Sequence, residues 1–251
     1  MRVDNQDYYD GFSARYDSRR AHAYHRLVDQ LELEILAPLV RRARVVDVAT
    51  GTGLTLMGLQ ELAHRAVGVD LSRGMLRRAR QRALMVVQGD AAALPLPDAW
   101  FDVACCFKAF PHLPAPERAL RELGRVVRVG GNVAVELYNP WSLRGVVRRR
   151  GPRRAVSDSH HEGQVHTRYD TVADLVRMLP TGLKVAGVRG IRIATPAGRL
   201  LSVPVLGPWL DGLERLATRL PALWRVAGFV VVVLERTSGP ILAARQDGGD
   251  A

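Results

Sequence analysis

Apolar positions along the chain fall into two spacings. Leu27, Leu31 and Ile35 recur at helical spacing from Ala23 to Leu36, which predicts an amphipathic helix ending before Pro38. Arg44 to Val48 is a short apolar run broken only by Asp47, and reads as a buried strand. Leu54 to Leu62 returns to helical spacing, and Ala66 to Asp70 is a second strand closing on a carboxylate. Arg73 to Arg82 is a short basic helix with Met75 and Leu76 facing inward. Leu84 to Val87 and Phe101 to Phe107 follow as third and fourth strands. Pro116 to Val127 is an amphipathic helix and Asn132 to Tyr138 a fifth strand. Farther on, Thr171 to Leu179 predicts a helix opened by Asp170 or Thr171, and Lys184 to Ile193 a sixth strand. Pro196 to Pro208 reads as a loop, Trp209 to Leu220 as a helix, and Gly228 to Leu234 as a seventh strand. Strands alternating with helices predict an α/β fold, a doubly wound sheet. No internal repeat is visible.

The turn after the first strand is the most informative stretch. Ala49 to Gly53 supplies small residues and two glycines, which let the main chain pass close to a ligand. The helix behind it offers free N–H groups and a positive dipole end. A dinucleotide fingerprint wants a third glycine, but Leu56 stands there. Asp47 would repel a pyrophosphate and suits a ligand with a cationic amine, so a nicotinamide oxidoreductase is disfavoured. Asp70 lies at the distance where a strand-end acid meets ribose hydroxyls, and a carboxylate can accept both hydrogen bonds of a vicinal diol. Its alternative role, capping the next helix, falls more naturally to Ser72.

Composition changes this picture little. A chain of 251 residues, 47% hydrophobic and 24% charged, suits one α/β domain with insertions. The charge is less ordinary: the formal net charge is +11, with lysine only at Lys108 and Lys184 and arginine supplying the rest. Such a surface concentrates anionic substrates, membranes or nucleic acid. Cys105 and Cys106 are adjacent on a strand and point to opposite faces, which disfavours a disulfide between them. They read as buried apolar residues of a reducing compartment. The amino-terminal residues carry no signal-like apolar core, and the run Val226 to Leu234 is short of the ~20 residues that cross a bilayer. A cytoplasmic location is expected.

The segment Asp47-x-Ala49-x-Gly51-x-Gly53 resembles motif I of the class I S-adenosylmethionine (SAM)-dependent methyltransferases, written D/E-x-G-x-G-x-G. Ala49 replaces the first glycine, as in relatives of the ubiquinone/menaquinone C-methyltransferases (methyltransferase type 11). Phe12 to Asp17 resembles the segment that opens these enzymes and closes over the SAM pocket. Leu94 to Asp102 is similar to the family's L-P-F-x-D-x-x-F-D run. Arg125 to Gly131 is similar to R-V-L-K-P-G-G, with Val129 in the proline position. The resemblance covers residues 8 to 138 and thins beyond.

It implies a Rossmann-like, seven-stranded, mostly parallel sheet with the last strand antiparallel and helices on both faces. It implies a helical lid over residues 1–40 and a SAM-binding domain over 41–238. Within that domain a substrate-side insert spans about 141–225, and a disordered tail follows from 239. SAM would lie among Tyr16, Asp47, Ala49, Thr50, Gly51, Thr52, Gly53, Asp70, Leu71, Met75, Asp90, Ala91 and Phe107, with Asp90 on the adenine amino group. Asp102, at the beginning of its strand, reads as structural.

SAM carries its own activated methyl group, so holding a nucleophile in line can supply up to ~7–11 kcal/mol of barrier reduction. No metal is expected. His112, after the fourth strand, is the best-placed general base, with a water-exposed loop histidine as the alternative; Tyr16 is a further candidate. His160, His161, His166, Trp141 and Trp209 are candidate substrate-side residues, and the histidine spacing matches no common zinc pattern. The acceptor is expected to be a small hydrophobic or aromatic molecule of quinone, lipid or secondary-metabolite type. The arginine-rich stretch Arg144 to Arg154 could meet an anionic substrate or membrane surface, or be a solvated loop. A homodimer is compatible with the sequence. The alternatives are an RNA or DNA methyltransferase using the basic surface and a catalytically silent SAM-fold binding module. Nucleic acid is disfavoured because the chain has Cys106-Phe107-Lys108-Ala109 where base methyltransferases carry N/D-P-P-Y/F, and Asn139-Pro140-Trp141 follows the wrong strand.

Overall fold

The computed structural model describes residues 16–17, 22–142, 155–157, 160–161, 167–195 and 198–242. Helix α1 (Ala23–Val40) leads into β1 (Arg44–Val48), α2 (Leu54–Leu62), β2 (Arg65–Asp70), α3 (Arg73–Gln81) and β3 (Val86–Gln88). After β4 (Phe101–Cys106) come a 3-10 turn (Phe110–His112), α4 (Pro116–Val126) and β5 (Val127–Tyr138). Two short strands, β6 (Ala155–Ser157) and β7 (His160–His161), pair only with each other. Then come α5 (Val172–Met178), β8 (Leu183–Ile191), a 3-10 turn (Gly198–Ser202), α6 (Leu206–Arg219) and β9 (Phe229–Arg236).

The seven strands of the main sheet lie in the order β3-β2-β1-β4-β5-β9-β8. Pairs among β1 to β5 are parallel, while β9 runs antiparallel to both β5 and β8. This is the mostly parallel sheet with an antiparallel last strand that the sequence predicts. Strand alternation divides the core between its faces. Val45, Val103, Cys105, Ala134 and Val231 pack with α1, α2 and α3. Val46, Val48, Ala104, Cys106, Val133 and Val135 pack with α4 and α5. The two cysteines therefore serve opposite cores, both as buried free thiols.

Several element ends differ from the sequence reading. α1 continues through Pro38 to Val40: the proline gives up its own i→i−4 hydrogen bond, and burial of Leu36 and Val40 favours the last turn despite that loss. β3 begins at Val86, since Leu84 instead fills the space beneath Gly53, where a Cβ would lie 2.3 Å from its Cδ1. β5 begins at Val127, the chain turning straight out of α4. α6 starts at Leu206 and takes Pro208 into its first turn, where proline costs no hydrogen bond. Thr171 caps α5 and forms a capping box with Asp174.

Asp102 lies at the opposite sheet edge from the glycine turn. It accepts from the Arg44 N–H at 2.7 Å and from Arg128 Nε at 2.6 Å. Burial pushes its carboxyl upward, but these hydrogen bonds prevail and hold it below the usual range. Among the described residues, no helix is long and apolar enough to cross a membrane.

Candidate cofactor and acceptor site

Three residues with positive φ carry the chain from β1 into α2: Ala49 (59°), Gly51 (58°) and Gly53 (85°). Only the glycines adopt this conformation without strain. A Cβ on Gly51 would meet nothing within 4 Å, so this turn borders open space. The loop is tied to its neighbour strand by the Thr50 N–H, which donates to the Val69 carbonyl at 3.0 Å. Asp70, at the end of β2, accepts from the Gly51 N–H at 2.7 Å on one oxygen and from the Ser72 N–H at 2.8 Å on the other. Its carboxylate is thereby aimed at the loop. Capping α3 falls to Ser72, whose hydroxyl accepts from the Met75 N–H.

Beneath the loop, Asp47 is buried. The Thr50 hydroxyl donates to one of its oxygens at 2.6 Å and the Cys105 thiol approaches the other at 3.5 Å. Burial pushes the Asp47 carboxyl up to about 6, against the hydrogen bonds from Thr50 and Cys105 and the Lys108 charge. Lys108, just past β4, ion-pairs with Asp29 at 2.9 Å and with the fully buried Glu32, both on α1. Burial raises the Glu32 carboxyl, opposed by Lys108 and by hydrogen bonding to Glu136, itself buried on β5. Four carboxyl groups and one ammonium thus gather between α1 and the ends of β1, β4 and β5. The sequence pattern showed Lys108 as a loop residue and gave no sign of this cluster.

The amino-terminal segment touches the same loop. The Thr52 hydroxyl donates to Asp17 Oδ1 at 2.7 Å, Arg82 Nη2 donates to Asp17 Oδ2 at 2.6 Å, and Arg82 Nη1 donates to the Thr52 carbonyl at 2.7 Å. Tyr16 precedes this clasp in the same helical fragment and is half-buried. Leu71 is exposed beside Asp70, whereas Met75, Ala91 and Phe107 are buried. Asp90, past β3, is exposed and accepts from the Ala92 N–H at 2.8 Å. Asp47 near the end of β1, Asp70 at the end of β2 and Asp90 past β3 therefore line the carboxyl ends of three neighbouring parallel strands.

A second group lies along the same edge, past β4 and β5. His112 Nε2 lies 3.4 Å from the Tyr138 hydroxyl, and its Nδ1 lies 3.2 Å from Thr167 Oγ1. Tyr138 meets the His112 ring edge-on, with Tyr169 and Phe229 packed at ring-centre distances of 6.0 and 5.3 Å. Arg168 holds this side in place: its N–H donates to the Pro111 carbonyl and its guanidinium, paired with Asp170, stands over Phe110. Sequence reasoning singled out His112 but missed Tyr138, Thr167, Tyr169 and Phe229. The one available signal was an aromatic residue at the carboxyl end of the fifth strand.

The remaining candidates are not brought into this group. Trp141 is 63% exposed in a turn held by Asn139, and Trp209 is 62% exposed on α6. His160 and His161 lie in the small β6–β7 sheet; His166 and residues 144–154 lie outside the described residues.

Residues 46–135 match the family model described as Methyltransferase domain. Over 92 residues the chain is 38% identical to a demethylmenaquinone methyltransferase of Corynebacterium kroppenstedtii, covering 37% of this chain and 40% of that protein. It is 36% identical over 105 residues to a phosphatidylethanolamine N-methyltransferase of Cereibacter sphaeroides, covering 38% and 50%. The matched segments thus span half or less of these curated relatives. Among solved structures, a SAM-dependent methyltransferase from Thermotoga maritima, a possible histamine N-methyltransferase, superposes with a TM-score of 0.65 at 22% identity, covering 91% of this chain and 98% of that one. A putative methyltransferase of Haloferax volcanii, in complex with the Trm112 methyltransferase activator, superposes with a TM-score of 0.64 at 21% identity, covering 94% and 99%. Both likenesses concern the fold. From β1 through β5 the chain thus carries a segment matched by the methyltransferase-domain model, on a sheet wound like those of SAM-dependent methyltransferases.

Proposed function

We propose that the chain transfers the methyl group of SAM to a small, hydrophobic or aromatic acceptor. The observation that carries this reading is the division of one sheet edge at the β1–β4 boundary, where the strand order reverses. On one side stands the glycine turn with Asp70; on the other stands the aromatic group around His112 and Tyr138. The named activities of the relatives, on demethylmenaquinone and phosphatidylethanolamine, support a quinone-like or lipid-like acceptor.

The residues present fit SAM. Gly51 leaves room for a ligand against the main chain, and the Asp70 carboxylate stands at the strand end where a ribose diol would be held. Ala49, Thr50, Thr52 and Gly53 shape the loop; Leu71, Met75, Asp90, Ala91 and Phe107 form the adenine side; Tyr16 covers the pocket. Bound SAM would supply an electrophilic methyl carbon on a sulfonium, a transfer whose chemistry requires no metal. Asp47, ionised, places negative charge beneath the site of the cationic amino acid moiety.

On the acceptor side the chain supplies orientation and a proton acceptor. With Nδ1–H donating to Thr167, His112 Nε2 presents a lone pair toward Tyr138 and a neighbouring acceptor hydroxyl. Tyr138, Tyr169 and Phe229 give an aromatic acceptor ring faces and edges to pack on.

The test is binding followed by turnover. SAM and S-adenosylhomocysteine raise the melting temperature of the wild type by mass action, and Asp70→Ala removes the shift. Labelled SAM with a panel of phenolic, quinol and phospholipid acceptors then yields a labelled product. Absence of the shift in the wild type, or an undiminished shift in Asp70→Ala, rejects the cofactor site.

A further inference from the structure

Helix α6 is apolar on both sides: Leu210 and Ala217 are buried, and a second apolar row faces solvent. Its inward side carries Glu214, only 1% exposed, whose carboxylate accepts from the Ile193 N–H at 2.7 Å, the Ala194 N–H at 2.8 Å and the Thr195 hydroxyl at 2.9 Å. Arg215 adds a second anchor, pairing with Glu34, Gln30 and Asp211. These bonds fix the helix about its axis. Its solvent side is consequently held outward, and that side is apolar: Leu206, Trp209, Leu213, Leu216 and Leu220 recur at spacings of three and four and are all exposed.

The turn before the helix extends this stripe. Val203 is exposed, and Val205 is 86% exposed with φ of 66°, a conformation a β-branched residue adopts only under constraint. A run of this length is larger than the scattered apolar residues of ordinary surfaces. Exposed Arg199, Arg219 and Arg225 stand near its ends, and Asp211, the acid nearest the stripe on α6, is paired with Arg215. An apolar stripe with a tryptophan, basic neighbours and a chain charge of +11 complements one kind of surface.

We propose that the outer face of α6, with Val203 and Val205, lies in the interface of an anionic lipid bilayer. The apolar side chains enter the acyl boundary and the arginines meet lipid phosphates. The inference goes beyond methyl transfer and is read without SAM, so either can fail alone.

The experiment is co-sedimentation of the full chain with phosphatidylcholine vesicles, with and without phosphatidylglycerol, at low and high salt. Wild type binds the anionic vesicles, and salt weakens the binding. Arg219→Ser reduces affinity by about fivefold, the effect of one basic residue at such a surface. Leu216→Glu/Leu220→Glu reduces it by at least about tenfold, through lost insertion and added negative charge. Both positions are exposed, and circular dichroism with a cooperative thermal melt verifies that the variant is folded. Failure of wild type to sediment with anionic vesicles overturns the proposal, as does undiminished binding by the folded double variant. Self-association in ultracentrifugation that the double variant abolishes, without vesicle binding, assigns the face to a second copy and overturns it equally.

Discussion

Arg82 clasps Asp17 at 2.6 Å while its other terminal nitrogen holds the Thr52 carbonyl, so the residue that ends α3 ties the amino-terminal segment to the glycine turn. The order of that segment and the shape of the turn are therefore coupled. Both partners of the ion pair are about a quarter exposed, and solvent screening limits its worth. Asp17→Asn is expected to speed SAM dissociation about fivefold or less, corresponding to about 1 kcal/mol. Stopped-flow displacement measures it, and an unchanged dissociation rate separates the clasp from cofactor retention.

Asp47 links stability to pH. Its folded carboxyl lies at about 6, above the ordinary 3.8, so between these values the folded chain binds more protons than the unfolded one. Its contribution is fully present below pH ~4 and is lost as pH rises through about 6. The loss approaches about 3 kcal/mol. Asp47→Asn is expected to flatten that part of the stability profile and to be the more stable protein at pH 7. Denaturant melts across pH 4–8 read this out. Because a cationic ligand favours the ionised acid, SAM affinity in the wild type rises through the same interval and that rise disappears in the variant.

Ala49 occupies a left-handed conformation with φ of 59°. An L-residue there costs about 1–2 kcal/mol, and glycine returns roughly half of the relief through its freer unfolded chain. Ala49→Gly is expected to raise the melting temperature by about 2–4 °C. Ala49→Val, branched at Cβ, is expected to lower it; calorimetry of the two variants gives the sign.

His112→Gln is expected to lower kcat on a hydroxyl acceptor by about a hundredfold or more, with the SAM-induced melting shift unchanged. Tyr138→Phe keeps the ring packing and removes the hydroxyl near Nε2, so a smaller fall in kcat with little change in KM is expected. Wild-type turnover by His112→Gln overturns the base assignment.

The sheet was legible in the sequence because its first five strands and the glycine turn are local patterns, each complete within about a dozen residues. Cys105 and Cys106 could even be assigned to opposite faces from alternation alone. The aromatic group was not legible because Tyr138 meets Phe229 through an antiparallel pairing across most of the carboxyl-terminal half. The buried set of Glu32, Lys108 and Glu136 was hidden for a different reason. Each charge looks solvent-bound on its own segment, and only α1 lying over the ends of β4 and β5 reveals the compensation. Helix α6 carries apolar residues on both sides, so spacing alone could not tell that Leu210 and Ala217 face inward with Glu214 while Leu213 and Leu216 face out.

The placement of β9 between β5 and β8 bears on how the chain is made. Until the ribosome has synthesised residues 229–236, two strands that end up as second neighbours have no common partner, and each presents a bare hydrogen-bonding edge. A nascent chain stalled before Phe229 would be the form most prone to clump, and chaperone capture should peak at that length.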